Sequence, residues 1–177
     1  MISRHDPGGK VKRSLTSDVV GHAVFGGPRD EYRYVLHRAW DDSLPTAMFL
    51  MMNPSTADVH VDDPTVYRCQ TFARSWGFGS VYVANTFAYR ATDQTQLVDV
   101  ADPIGPDNDW HILQMASLSK LIVLAYGRPH KKLRARGAEV SQMLRQFGYN
   151  LYALMLNADG TPRHPLYVPG SMKPCKV

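Results

Sequence analysis

Polar side chains follow four strongly apolar segments of this 177-residue sequence. Asparagine, tyrosine and histidine side chains at such positions can bind a ligand or hold a water molecule through hydrogen bonds. If the four segments are parallel strands of one sheet, their carboxyl ends share an edge, which is where such sheets bind ligands. The sequence therefore predicts one pocket, whose polar lining includes Asn53, Asn85, Tyr126 and His164.

Other kinds of catalytic site have less support in the sequence. Ser55 could act as a nucleophile, but no carboxylate–histidine pair accompanies it by spacing, and capping of the turn is the simpler role. His60, Asp62 and Asp63 offer metal ligands, yet Asp63 is better explained as a helix cap, which leaves too few. The motifs of dinucleotide-binding proteins, phosphate-loop NTPases, serine hydrolases and zinc proteases do not occur. We therefore expect neither a metal nor a cofactor.

The apolar segments that would position these residues are residues 47–52, 80–84, 121–125 and 149–156. The first of them has no polar alternation, which is typical of a central parallel strand buried on both faces. Two segments rich in β-formers, Val19–Phe25 and Glu31–Trp40, flank a Gly/Pro/Asp turn and predict an N-terminal hairpin. Because helical patterns separate the later strands, we expect a three-layer α/β/α sandwich with a small, mostly parallel central sheet.

Three helices are predicted between the strands. Asp63 and Pro64 predict the start of the first, because Asp is a favoured N-cap and Pro suits the first helical position. The second should begin near residues 105–109 and the third near Pro129. The apolar residues expected to face the core are Val66, Cys69, Ala73 and Trp76 in the first helix, Trp110, Leu113 and Ser117 or Leu118 in the second, and Leu133, Val140, Leu144 and Phe147 in the third.

The composition predicts a soluble cytoplasmic protein. Apolar residues make up 44% of the chain and charged residues 20%, which is typical of a globular domain. Two cysteines are too few for a disulfide framework, and no apolar run is long enough to cross a membrane. Residues 18–177 are expected to form one α/β domain. Residues 1–17 are expected to form a basic tail, which either is solvated or binds a partner. The solvated tail is the favoured interpretation. The net charge of +4 permits an anionic partner.

Five segments, in the same order, resemble a bacterial and phage domain-of-unknown-function family, number 1643. They are Met52 to Asp58, Asp62 to Thr65, Asn85 to Arg90, Gly105 to Asp109 and Arg163 to Tyr167. This resemblance implies a family but not an activity.

A weaker resemblance, at the level of the fold, is to the uracil-DNA glycosylases, which are α/β/α enzymes. Branches of that superfamily carry an Asn-Pro motif after the first parallel strand, and many members carry a His-Pro motif after the last. The resemblance implies that Asn53 positions the attacking water, His164 hydrogen-bonds the departing pyrimidine and Asn85 reads the base edge. Phe87 or Tyr89 would stack on the base.

Three positions depart from the glycosylase motifs. Met51 and Ser55 stand where those enzymes have glycine, and Leu166 replaces the serine after His-Pro. Ser55 and Tyr126 are nevertheless expected to contact the substrate. The nearby carboxylate of Asp58 is expected to act as a base or to stabilise the sugar cation.

The leading hypothesis is hydrolysis of the N-glycosidic bond of a pyrimidine or modified base, in DNA or in a nucleotide. One alternative is a non-catalytic module of the same fold that binds a base or a nucleic acid. Another is a hydrolase or transferase that acts on free nucleotides in phage or base-modification metabolism. The cationic residues expected to contact a nucleic acid are Lys131, Lys132, Arg134 and Arg163.

Overall fold

The apolar run that begins at Ala47 forms the middle strand of a seven-stranded sheet. A computed structural model describes residues 3–9 and 11–177. The strands are β1 (Arg13–Ser14), β2 (Val20–Gly26), β3 (Tyr32–Ala39), β4 (Thr46–Met51), β5 (Val61–Asp62), β6 (Ser80–Asn85), β7 (Leu121–Leu124), β8 (Leu151–Ala153) and β9 (Cys175–Lys176). The α-helices are α1 (Pro64–Ser75), α2 (Asn108–Ser117) and α3 (Arg134–Gln146).

The large sheet has the order β2-β3-β6-β4-β7-β8-β9. Its four inner strands β6, β4, β7 and β8 are parallel, whereas β2, β3 and β9 add antiparallel pairings at the two sides. The sheet is therefore mixed rather than mostly parallel, because the predicted N-terminal hairpin, β2 and β3, joins it by pairing with β6. The remaining strands, β1 and β5, form a separate two-stranded ribbon.

Apolar side chains cover both faces of the sheet. Met48 and Leu50 of β4 belong to one core cluster with residues of α2 and α3, and Phe49 belongs to a second cluster with residues of α1. This alternation follows from the two-residue period of a strand, which sends successive side chains to opposite faces. The protein is thus a mixed α/β fold with helices on both faces of its sheet.

Helix α1 begins as the sequence predicts. The carboxylate of Asp63 accepts a hydrogen bond from the backbone N–H of Val66 at 2.9 Å, and Pro64 is the first helical residue. Within the helix Val66, Cys69 and Ala73 are buried, whereas Trp76 is half-buried at the C-cap.

The prediction of which α2 residues face the core is largely wrong. Trp110 and Leu118 are 60% and 63% exposed, Ser117 is also exposed, and Leu113 is only partly buried. The helix is rotated because the fully buried Asn108 donates from Nδ2 to the backbone carbonyls at the end of β6. With Asn108 fixed, the residues that face the sheet are Ile112, Met115 and Ala116.

Two further boundaries differ from the predictions. The third helix begins at Arg134, after a short 3-10 helix at Lys131–Leu133, and Phe147 lies at its C-cap with 65% exposure. Leu133, Val140 and Leu144 are buried as expected. The fourth parallel strand covers only Leu151–Ala153, because its partners β7 and β9 offer few residues for pairing.

Described residues of the N-terminal segment form backbone hydrogen bonds with the rest of the domain. The backbone N–H of His5 donates to the carbonyl of Arg29, and the N–H of Thr92 donates to the carbonyl of Pro7. Residues Arg13–Ser14 pair with β5. Lys10, one of the basic residues predicted to lie in a tail, is outside the described residues. No helix in the described part of the chain is long and apolar enough to span a membrane.

A buried ion pair joins β3 to the β5 segment. Arg38 and Asp62 are almost fully buried, and Nε of Arg38 lies 2.8 Å from the carboxylate. The other carboxylate oxygen accepts a hydrogen bond from Gln70 of α1 at 2.6 Å. These contacts hold the segment that leads into α1 against the sheet.

Replacement Asp62→Ala should lower the free energy of unfolding by about 3–5 kcal/mol, because it leaves the Arg38 cation buried without its counter-ion. Urea denaturation followed by circular dichroism measures this change. Asp18→Ala is a matched control, since Asp18 pairs with Arg74 at the surface at the same 2.8 Å distance. Equal effects of the two substitutions would show that burial of the Arg38 pair does not matter.

Candidate functional site

A cavity of about 730 Å³ opens at the carboxyl ends of the inner strands. Its wall includes Asn53 after β4, Asn85 at the end of β6, Tyr126 after β7, and His164 in the loop that follows β8. Ser55 also lines it. The structure therefore brings together all four polar residues that follow the apolar segments. Their convergence results from the parallel direction of the four inner strands.

The Asn53 side chain is held in one orientation by the loop that follows β6. Its Nδ2 donates to the carbonyl of Ala91 at 2.6 Å and to that of Pro54 at 3.2 Å. Both donor hydrogens are thus used by backbone, whereas Oδ1 accepts no hydrogen bond from any described residue. This orientation leaves a neutral acceptor available to a water molecule or a ligand donor.

Asn85 is oriented in the opposite sense. Its Oδ1 accepts a hydrogen bond from Nη2 of Arg33 at 3.3 Å, and its Nδ2 donates to no described residue. Because Asn85 lines the cavity, the free group it can offer to a ligand is an N–H donor.

Arg33 of β3 is a buried cation on the cavity wall. It is 2% exposed, and its Nη1 donates to the carbonyl of Ala57 at 2.8 Å. Its Nε atom is buried without a hydrogen-bond partner among the described residues. Burial lowers the pKa of Arg33 to about 10, against a smaller opposing effect of the Asp63 carboxylate, so the side chain remains charged at neutral pH.

The N-terminus of α1 forms another part of the wall. Asp63, Pro64 and Thr65 line the cavity, so the residue whose carboxylate caps α1 is also part of the cavity wall. The positive end of the helix dipole lies at the same place, where it favours negative charge.

His164 is half-buried in the cavity wall, and its tautomer is set by its own loop. Its Nδ1 accepts from the backbone N–H of Leu166 at 3.3 Å, so in the neutral ring the proton is on Nε2. Burial lowers the pKa of His164, and the Asp63 carboxylate opposes this shift in part. At neutral pH the imidazole is therefore mainly an uncharged donor.

An exposed aromatic ring stands beside the imidazole. Tyr167 is 75% exposed, lines the cavity and lies with its ring centroid 5.7 Å from that of His164. It offers an apolar face on which a planar ligand can stack.

Another part of the wall comes from two segments distant in the sequence. Pro7 and Gly8 line the cavity together with the loop 91–96, and the Thr92 N–H donates to the Pro7 carbonyl at 2.8 Å. The hydroxyls of Ser55 and Thr92 lie 2.7 Å apart, which ties the Asn53 loop to this wall. Ser55 is therefore positioned by Thr92, and the structure gives it no basic partner among the described residues.

Tyr126 forms the wall beside α3. It is buried, and its ring packs so closely on Gly137 that a Cβ at that position would lie 2.5 Å from the ring. The glycine in the middle of α3 therefore leaves room for the ring, at the cost of some helix propensity.

Three residues predicted for the site lie elsewhere. The carboxylate of Asp58 accepts from the backbone N–H groups of His60 and Val61, so it stabilises a turn outside the cavity wall. Phe87 is buried in the core, and Tyr89 packs against Tyr32. Neither ring lines the cavity, because the chain after Asn85 is held by α2, whose Asn108 donates to the carbonyls of Asn85 and Thr86.

The predicted basic contacts also lie outside the cavity wall. Lys131, Lys132 and Arg134 are exposed, and Nε of Arg134 donates to the carbonyl of Pro129. Arg163 is half-buried and donates to Asn157 within its own loop. The basic residue of this region that does line the cavity is Arg128, which is paired with Asp159 at 2.9 Å.

One comparison with known proteins finds a match. A family model described as "Protein of unknown function (DUF1643)" matches residues 33–166. The chain belongs to this family. Comparison with the curated proteins and with the solved structures finds no match.

The region shared with the DUF1643 family contains most of the polar wall of the cavity. It begins at Arg33, includes Asn53, Asp63 and Asn85, and extends past His164. Tyr167 and the Pro7–Gly8 wall lie outside the matched residues. The family region therefore carries the polar residues around which the cavity is built.

Sequence reasoning missed Arg33, Arg128 and Tyr167 and gave Asp63 only a structural role. An arginine within a strand of the hairpin has no local pattern that distinguishes a buried cation from a solvated one. The cavity position of Asp63 had a usable signal, because a helix that follows a strand-end loop places its N-terminus near the ligand edge. Within the described residues no cluster of three or more His, Cys, Asp or Glu side chains is arranged to hold a metal ion.

An NMR titration tests the environment of His164. Its ring should protonate below the ordinary value of about 6.5, and Asp63→Asn should lower this pKa further by removing the charge that opposes the shift. Asn is also a good N-cap, so α1 should be retained. The signal is assigned by its loss in His164→Gln.

The same shift sets the sign of a pH effect on stability. Because the folded pKa is lowered, the unfolded chain binds more protons, so the contribution of His164 to stability is lost as pH falls below about 6.5. A ring that titrates above that value in the parent protein would contradict this account of the site.

Proposed function

We propose that the protein hydrolyses an N-glycosidic bond and that the cavity binds the nucleobase of its substrate. The observation that carries the proposal is the pairing of Asn53, with a free acceptor, and His164, with a free donor, on one cavity wall. The order β6-β4-β7-β8 of the inner strands, with helices on both faces, supports a three-layer sandwich like that of the uracil-DNA glycosylases.

Asn53 would hold the attacking water. Its Oδ1 can accept a hydrogen bond from water, while its Nδ2 is fixed by the Ala91 and Pro54 carbonyls, so the amide needs no reorganisation before reaction. The water oxygen bonds to the anomeric carbon, and the electrons of the broken C–N bond pass to the base.

His164 would stabilise the departing base. Its Nε2–H can donate to a base oxygen, and this hydrogen bond strengthens as negative charge develops on the base. The lowered pKa is consistent with a neutral donor at pH 7.

Asp63, instead of Asp58, would supply the carboxylate that acts as a base or stabilises the sugar cation. One of its oxygens accepts from the Val66 N–H, and the cavity position of the residue lets the carboxylate face a sugar cation or accept a proton from water. The base would lie between the exposed ring of Tyr167 and the donor group of Asn85.

The substitutions Asn53→Ala and His164→Ala should each lower turnover by about two to three decades, as expected for loss of one preorganised hydrogen bond. Both should change the affinity for the base much less, because these interactions matter mainly in the transition state. The assay measures base released from a panel of oligonucleotides and nucleotides that carry modified pyrimidines.

Asn150→Ala and His22→Ala serve as matched controls, since both residues are exposed and lie outside the cavity wall. Parental turnover in both Asn53→Ala and His164→Ala would leave neither residue with a catalytic role, and the site would then be a binding site only.

The exposed cations test whether the substrate is a polymer. If DNA extends from the cavity across the surface at residues 131–134, replacing Lys131, Lys132 and Arg134 with Ala should weaken DNA binding. The slope of log Kobs against log salt should fall by about one unit for each phosphate group that the variant no longer neutralises. Fluorescence anisotropy at several salt concentrations measures it. The same triple variant should release base from a free nucleotide at the parental rate.

Unchanged DNA binding in this variant, or no binding by the parent, would favour free nucleotides as substrates. That alternative is supported by one observation, which is that none of these three side chains lines the cavity.

A further inference from the structure

The guanidinium of Arg33 is a buried charge without a counter-ion among the described residues. Arg33 is 2% exposed, and no described carboxylate lies within 4.0 Å of its nitrogen atoms. Its two hydrogen bonds go to neutral oxygens of Ala57 and Asn85, and its Nε has no partner there. The Asp63 carboxylate, which lies beyond contact distance, opposes only part of the effect of burial on Arg33. A buried cation that no anionic group contacts is costly.

The same strand shows how the fold treats a buried arginine that is structural. Arg38, five residues later, is fully buried but lies 2.8 Å from the Asp62 carboxylate and also donates to three backbone carbonyls. Arg33 differs in two respects: it lacks the carboxylate, and it lines the cavity. A role for Arg33 in binding a ligand, in addition to its structural contacts, accounts for both differences.

Arg33 also sets what Asn85 presents to the cavity. Because an N–H of Arg33 occupies Oδ1 of Asn85, the amide offers its Nδ2. The part of the cavity formed by these two side chains, which we call the donor floor, therefore has donors and a positive charge but no side-chain acceptor of its own. The N-terminus of α1 lies on the same cavity, where the capping carboxylate of Asp63 offsets its positive potential.

We propose that the donor floor binds a negatively charged group of the substrate that offers only hydrogen-bond acceptors. Two sources have this chemistry: the oxo edge of a base that leaves as an anion, and a phosphate group of a nucleotide. The inference rests on the proposed function for its meaning in catalysis, since a base anion forms when the glycosidic bond breaks.

The donor floor also predicts selectivity. A ring whose oxo groups meet the two donors, and which becomes an anion when the glycosidic bond breaks, satisfies both donors and supplies a negative charge. A ring with an amino group at that edge places a donor against donors, which a buried site rejects strongly. The substrate base is therefore expected to be of the dioxo class.

Equilibrium binding by the parent protein tests the proposal without any turnover. Isothermal titration with barbiturate, the anion of a trioxo pyrimidine ring, and with inorganic phosphate should show saturable binding of at least one, whereas cytosine should bind more weakly than barbiturate. Tighter binding of barbiturate identifies the base edge as the natural occupant, and tighter binding of phosphate identifies a nucleotide phosphate. No binding of either anion would overturn the proposal.

Arg33→Gln should weaken binding of the favoured anion by about ten- to hundredfold, as expected for the loss of one charge-assisted hydrogen bond. Arg33→Lys should bind with intermediate affinity, because it keeps the charge but not the planar donors. Lys120→Gln is the matched control, since it removes one exposed positive charge near the opposite edge of the sheet. If Lys120→Gln and Arg33→Gln weaken anion binding equally, the effect comes from net charge alone, and the assignment of the anion site to the donor floor is overturned.

A second variant keeps the test decisive if Arg33→Gln does not fold. Asn85→Asp places a carboxylate about 3.3 Å from the Arg33 guanidinium and so supplies the counter-ion from the protein. The melting temperature of Asn85→Asp without ligand should be no lower than that of the parent. Its affinity for the anion should fall by at least the factor expected for Arg33→Gln. Parental affinity in Asn85→Asp would overturn the proposal.

The two hypotheses fail in different ways. Anion binding that depends on Arg33, together with no released base from any substrate, supports the donor floor and removes the glycosidic function. If Arg33→Lys, Asn85→Asp and the parent release base at the same rate and none of them binds the anions, the donor-floor proposal fails and the proposed glycosidic function stands.

Discussion

The enclosure of β4 is the constraint on which the rest of the structure depends. Parallel strands pair with both of its edges, and its residues from Ala47 to Met51 are buried on both faces. No polar side chain can be accommodated along such a strand, so the first position that can carry chemistry is the one where the strand ends. Asn53 occupies that position, and the neighbouring parallel strands deliver Asn85 and Tyr126 to the same edge.

Side chains satisfy several of the backbone groups around this edge, and this fixes the orientations of those side chains. Asn108 donates to the carbonyls at the end of β6, Asp63 accepts from the first turn of α1, and Asn53 donates to the loop beyond Ala91. Each of these hydrogen bonds uses one polar atom of a side-chain amide or carboxylate. The other polar atom of that group is left available to the cavity or is buried. The polarity presented to the cavity is therefore a by-product of how the loops are held, and it requires no side chain devoted to the ligand alone.

Much of this arrangement could be predicted from the sequence because local physics determines it. The apolar run before Asn53, the Asp63-Pro64 helix start and the Gly/Pro turn of the hairpin are each specified within a few residues. Asp58 could not be placed, because its carboxylate competes for nearby backbone N–H groups in a turn that only the fold defines. Trp110 was misplaced for a related reason, since a single buried amide, Asn108, rotates its helix. Arg33 escaped notice because its burial depends on partners more than 20 residues away in the sequence.

The N-terminal wall of the cavity has a consequence for how ligand choice can change. Pro7 and Gly8 contribute shape through backbone, and they lie outside the residues that the family model matches, whereas Arg33, Asn53 and Asn85 lie inside it. The shape of the Pro7–Gly8 wall and the hydrogen-bonding groups of Arg33, Asn53 and Asn85 are thus encoded in separate stretches of sequence. Substitutions in residues 3–9 can change the shape of the cavity while these donors and acceptors stay in place, so the two properties can evolve independently.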